Sequence, residues 1–308
     1  MLTWTALKRY EISPALPHLP PLHLHRALRG ALVFCSLLLT TCAAQGYIDT
    51  VLFLVTFDQE HGQVSFEPVV EIAKGQFNSP QANPAFAQTY LNNRLYPLYQ
   101  QGQLVGRVQS NGLASFGCSE VQNRAELQTT IPLIATSSHP QKTIYFLASS
   151  ALLMDGPVAL KPLSDADRNQ LQDFGRGQLK ALGLSEAELQ KALLTDAARV
   201  DLGGGTVGLV GTVSLLADSV NTPGATVFMI LEKEPQGWQP SLVVRKRFKS
   251  VYGEDFEGMQ FRDALDLDRD GTPELILEVL RNENYQFQVL KRSGKSWQAI
   301  YTGGGGGC

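Results

Sequence analysis

The chain has 308 residues, 44% of them hydrophobic and 18% charged, a balance that supports a folded core and excludes disorder throughout. Its formal net charge of -3 and isoelectric point near 6.0 give no basic footprint, which excludes nucleic acid as a leading partner class.

Residues 1–45 differ from the rest. Lys8, Arg9, Arg26 and Arg29 come first, the apolar run 31–39 follows, and Thr40-Thr41-Cys42-Ala43-Ala44-Gln45 closes the segment. That order is expected of a signal peptide, and the apolar run falls short of the about 20 residues that a permanent membrane helix needs. The mature chain is therefore expected outside the cytoplasm, periplasmic or at the cell surface. Two cleavage readings stay open. Leu39-Thr40-Thr41-Cys42 resembles the bacterial lipoprotein box, with threonine in place of the usual Gly, Ala or Ser before the cysteine, and implies a membrane lipid anchor at Cys42. The other reading is an ordinary cut near Ala44. Cys118 and Cys308 then remain, and an even pair in an oxidising compartment points to a disulfide, with two separate thiols as the alternative. Gly303 to Gly307 would give such a bridge a freely bending approach.

Residues 46–155 read as an N-terminal β-rich domain. Alternating or apolar runs at 51–57, 63–72, 104–108 and 143–148 predict strands, and 85–95, opened by Asn83-Pro84 and ended by Pro97, offers a helical face. Residues 156–308 read as a helical hairpin plus a C-terminal β domain. Ser164 with Asp167 and Ser185 with Glu188 each set a hydroxyl three residues before a carboxylate, the spacing that caps a helix start, and Gly183 separates the two helices. Leu171, Phe174 and Leu182 make one apolar stripe; Leu189, Leu193 and Leu194 make the other.

Strands are predicted at 207–216, 225–231, 242–248, 274–280, 285–291 and 296–301. Short turns at 281–284 and 292–295 force the last three into an antiparallel meander. Its pattern predicts one apolar face, with Trp297, Ala299 and Tyr301 together on it. The expected class is α+β: antiparallel β-sheets, a helical hairpin and a C-terminal β-meander.

One segment carries metal chemistry. Asp266-Leu267-Asp268-Arg269-Asp270-Gly271-Thr272-Pro273-Glu274 places carboxylates at loop positions 1, 3, 5 and 9 and glycine at position 6. Calcium takes six to eight oxygens, and alternate residues of a tight turn can aim theirs at one centre. Position 12 is Leu277 where an EF-hand needs a bidentate glutamate, and both flanks read as strand. The loop instead resembles the shorter calcium loop of FG-GAP and VCBS-type repeats, Asp-x-Asp-x-Asp-Gly-x-x-Asp before an apolar strand, with Glu274 in place of the last aspartate. The likeness covers about residues 261–301 in a single copy, so the repeated propeller of that family is not expected. It implies Ca2+ held by the Asp266, Asp268 and Asp270 side chains, the Thr272 carbonyl and Glu274. The alternative is a solvated Asp-Gly turn without metal.

Other signals are weaker. Gly203-Gly204-Gly205-Thr206-Val207-Gly208 contains G-x-G-x-x-G, but a strand follows where a dinucleotide site needs a helix, so it reads as a glycine-rich turn. His61 and His139 are the only histidines after the leader, and no zinc or serine-nucleophile motif is present in the sequence. Arg245-Lys246-Arg247 with Lys249 reads as a charged strand edge. The expected function is an exported calcium-binding structural or ligand-binding protein of the envelope or cell surface, its partner a protein or glycan. The rival is an exported hydrolase using Asp255, Glu257, Asp263 or the loop acids in a cleft.

Overall fold

The computed structural model describes residues 46–80, 85–113, 123–129, 143–153, 163–216 and 223–307. Residues 1–45, including Cys42, and Cys118 and Cys308 lie outside the described residues, and with them the expected signal peptide, lipid anchor and disulfide. Residues Gln45–Cys308 form one compact unit.

The expectation of an α+β class is overturned. The described residues hold fifteen strands in three antiparallel sheets and only three helices, so the fold is β-rich. The first sheet contains β1 (Thr50–Asp58), β2 (Gln63–Ala73), β3 (Gln76–Asn78), β4 (Leu95–Gln100), β5 (Gln103–Leu113), β6 (Asn123–Thr129) and β7 (Thr143–Ser149). Its order is β1-β7-β4-β5-β6-β2-β3, and β1 also pairs with β2, which closes six strands into a barrel and leaves β3 on its rim. Alternation sends Val51, Phe53 and Val55 of β1 inward with Phe66, Leu98, Val108 and Phe146, while Leu52 and Leu54 point outward. Helix α1 (Phe86–Tyr90) places Phe86 among the inward residues. It stops well short of Pro97, which lies inside β4 opposite Arg107.

The second sheet has the order β11-β10-β9-β8, built from β8 (Leu193–Asp201), β9 (Val207–Leu215), β10 (Gly224–Glu234) and β11 (Gly237–Phe248). Helices α2 (Asp165–Ala181) and α3 (Glu186–Lys191) cover its outer face through Leu171, Leu179 and Leu189, against Val213, Val227 and Met229. Both serine caps form: Ser164 accepts from the Asp167 N–H, and Ser185 with Glu188 completes a capping box. The second helix ends earlier than its apolar spacing suggests. Leu193 and Leu194 begin β8, where Leu193 is exposed, because pairing with β9 captures the chain from that point.

The third sheet, β12 (Glu257–Leu265), β13 (Glu274–Arg281), β14 (Asn284–Ser293) and β15 (Ser296–Gly307), is a four-stranded meander. It lies between the other two. Leu265, Ile276, Phe287, Val289 and Tyr301 meet Leu52, Val69 and Ile72 on the outside of the barrel. Phe261, Leu275, Leu277, Val279 and Trp297 meet Val200, Val210, Phe228 and Ile230 of the second sheet. The single apolar face expected of the meander is therefore two. A bulge in β15 separates the partners Val289↔Tyr301 and Leu290↔Ala299, leaving Ile300 unpaired, so Trp297 and Tyr301 fall on opposite faces. At the free edge of β12, the carbonyls of Met259 and Glu257 accept from the Thr212 and Thr226 hydroxyls of the second sheet, which satisfies an edge otherwise open to pairing.

The glycine run is not a flexible approach. Gly303 to Gly307 continue β15 beside β14 and against the barrel. The register between β1 and β2 shifts at Val69, so that bulged residue turns its carbonyl outward, where the Tyr301 hydroxyl donates to it at 3.2 Å. Gly304 sits against the same carbonyl with φ +64°, and a Cβ there would overlap it. Gly62 has the same φ, +64°, but nothing within 4 Å of a Cβ. Gly304→Ala is expected to lower unfolding free energy by about 2–4 kcal/mol and Gly62→Ala by only about 1 kcal/mol, read by urea denaturation of each variant. Equal losses would show that backbone strain alone, and not contact with the barrel, sets the requirement.

Candidate metal centre

Residues 266–273 connect β12 to β13 across the closing pair Leu265↔Glu274. Leu267 anchors the loop: its side chain is fully buried in the core shared with the barrel. Its N–H donates to Glu274 Oε2 at 2.9 Å and its carbonyl accepts from the Ile48 N–H at 3.0 Å. With Leu267 pinned, the chain turns through Arg269 at φ 61° and Gly271 at φ 83°. Acid side chains fold back onto the turn: Asp266 Oδ2 accepts from the Gly271 N–H at 3.0 Å and Asp270 Oδ1 from the Thr272 N–H at 2.8 Å. The sequence pattern thus acts locally, as Asx-type turns, before any ion is considered.

These bonds converge three of the four acids. One carboxylate oxygen from each of Asp266, Asp268 and Glu274 lies within 4.8 Å of the others. Two oxygens bonded to one calcium stand at most about 4.6–5.2 Å apart, so the spacing of the three is compatible with a shared ion. Glu274 is fully buried, Asp268 is 7% exposed, and Asp266 Oδ1 is buried with no hydrogen-bond partner. An unpartnered buried carboxylate oxygen is unfavourable by a few kcal/mol unless something cationic meets it. The oxygen-only donor set and this orphaned atom fit a hard cation. Asp270 stands at the solvent side and outside the triad, and half-buried Thr272 lies at the loop exit with its N–H already used.

Sequence spacing did not reveal two further contributors. Lys291 of β14, 17 residues beyond Glu274, donates from Nζ to Asp268 Oδ2, to Asp270 Oδ2 at 3.0 Å and to Glu274 Oε1 at 3.1 Å. Its ammonium also lies 5.3 Å from the centre of the Tyr47 ring. The Gly203-Gly204-Gly205 turn between β8 and β9 packs on the loop, where a Cβ on Gly203 would overlap the Gly271 carbonyl. Burial pushes the Glu274 carboxyl up to about 7, partly opposed by the Leu267 N–H and by Lys291, and burial also raises Asp266. Burial disfavours the Lys291 charge, but its bonds to Asp268, Asp270 and Glu274 outweigh that and hold its pKa above the ordinary lysine range.

Of the acids considered for hydrolysis, the three outside the loop do not form a pair. Asp255 accepts from the Lys249 N–H in an exposed turn, Glu257 bridges Lys246 and Arg281 at 3.1 and 3.3 Å, and Asp263 is buried beneath a barrel turn. The basic edge is likewise engaged: Arg245 donates to Gln178 at 2.8 Å and Arg247 to the Leu182 carbonyl at 3.1 Å. Arg262, the extra residue of a bulge in β12, is 4% exposed and ties the three sheets together. It pairs with Glu278 of β13 at 2.6 Å and Asp196 of β8 at 3.6 Å, and its guanidinium lies 4.1 Å from the centre of the Tyr145 ring of β7. No family model, curated protein or solved structure matches the chain.

Two acids outside the loop give stability a defined pH dependence. Asp263 Oδ1 accepts from the Gln101 and Ala264 N–H groups, yet Oδ2 is buried without a partner, and burial pushes the group up to about 8. Burial likewise lifts Glu67 to about 7, against the bond that the Tyr285 hydroxyl donates to it. A carboxyl whose folded pKa is raised favours folding fully below its unfolded pKa and loses that contribution as pH rises through the folded value. Stability is therefore expected to fall by roughly 2 kcal/mol or more between pH 6 and 9. Asp263→Asn, which imitates the neutral acid, is expected to remove most of that slope. Urea midpoints across this range check it; a variant as pH-sensitive as the parent would refute the assignment to Asp263.

Proposed function

We propose that the chain is an exported, calcium-stabilised β-sheet protein of the cell envelope or cell surface, in which the ion on the β12–β13 loop is structural. The carrying observation is the triad of Asp266, Asp268 and Glu274 oxygens within 4.8 Å, together with the buried, unbonded Asp266 Oδ1. Asp270 and the Thr272 carbonyl are the remaining ligands implied by the likeness to FG-GAP and VCBS-type loops. A bound ion would supply charge neutralisation to acids that otherwise repel one another inside the fold. It would also brace Leu267, and through it the Ile48 segment and the barrel wall. Export rests on the composition of residues 1–45; lipidation of Cys42 and a Cys118–Cys308 bridge belong to the same proposal.

Lys291 favours a second reading, in which its ammonium is the permanent counter-ion and the loop takes no metal. Thermal unfolding separates the two. With dissociation constants of about 10⁻⁴–10⁻³ M, typical of extracellular calcium modules, 10 mM calcium (on the order of 10–100 times that constant) is expected to raise the midpoint by roughly 3–10 °C over chelator. Asp268→Ala should abolish the response. A midpoint indifferent to calcium would leave the lysine-neutralised loop as the correct account.

A further inference from the structure

A cation already sits on the acidic loop, and it belongs to the protein. Lys291 reaches over from β14 and bonds Asp268, Asp270 and Glu274 at once, with its side chain 25% exposed. Two of these, Asp268 and Glu274, are also members of the converging triad, whereas Asp266 Oδ1 is left without a partner. Asp268 and Glu274 are shared by the two sets, so a calcium ion drawing on their carboxylates would stand close beside the ammonium, and the two charges repel.

We infer that Lys291 is a tethered competitor for the calcium site, holding the loop together when calcium is scarce and withdrawing when calcium enters. The inference rests on the calcium reading of the loop. Three consequences follow from the geometry. Calcium competes with the lysine for Asp268 and Glu274, so the site fills only at higher concentration than the bare acid set would require. The loop keeps its turn without metal, because the ammonium offsets part of the repulsion among the acids. The displaced ammonium, released from three carboxylates, regains water.

Calcium titration by calorimetry is expected to give at least about tenfold tighter binding in Lys291→Met than in the parent, with Lys291→Arg, which keeps a cation, close to the parent. Should Lys291→Met not fold without calcium, Lys291→Gln takes its place with the same expected tightening. In the unaltered chain, reductive methylation of Lys291 read by mass spectrometry is expected to rise several-fold at saturating calcium. Unchanged affinity on removing the charge, or methylation that does not rise, overturns the inference while leaving the calcium loop in place. If neither parent nor variant binds calcium, the calcium reading fails and this inference falls with it.

Discussion

The meander β12–β15 packs apolar residues on both of its faces, and much of its polar chemistry follows from that constraint. A charge or hydroxyl buried between such layers is costly unless it meets a partner, in its own sheet or in the layer above or below. Arg262 finds Glu278, Asp196 and the Tyr145 ring; Arg292 reaches Glu232 of β10 at 2.6 Å. The indole N–H of Trp297 donates to Ser241 at 3.1 Å, while Tyr285 and Tyr301 bond Glu67 and the Val69 carbonyl of the barrel. Apart from Arg262–Glu278, which stays within the meander, these contacts cross between sheets, so they help fix how the layers are stacked.

The acidic loop is one of the places where this sheet reaches the surface. Glu274 and Asp268 are held inside by Leu267 and by the first residues of β13, while Asp270 stands at the solvent side. A loop in that position can respond to ions from outside and pass the effect inward, since Leu267 is shared by the loop, the Ile48 segment and the core against the barrel. Gly203 adds a contact from the second sheet. All three layers therefore touch one turn of chain.

Local chemistry was legible in the sequence where one residue decides the outcome. Ser164 and Ser185 cap helices as their spacing indicates, the Gly203 turn joins two strands, and three of the four loop acids converge. What depends on a distant partner was not legible. In β14, Gln286 and Gln288 alternate with Phe287 and Val289 in the pattern of a one-faced strand, and nothing nearby in the sequence shows the second sheet packed on the other side. The bulges at Arg262 and Ile300 change which face a side chain takes, and neither carries a glycine or proline to mark it. Lys291 belongs to the acidic loop only through the pairing of β13 with β14. Gly304 looked like a spacer because its requirement lies in the carbonyl of Val69, far away in sequence.

That last distance bears on how the molecule reaches its shape. Tyr285 meets Glu67 across 218 positions and Tyr301 meets Val69 across 232, so the barrel's outer wall gains its covering layer only when segments from opposite halves of the chain come together. Such pairings close large loops before they return any packing, which slows folding relative to a chain of mostly local contacts. Until β14 and β15 dock, the apolar outside of β1 and β2 is bare, and the uncommitted chain has every reason to stick to itself. Its assembly is a race between that long-range closure and aggregation.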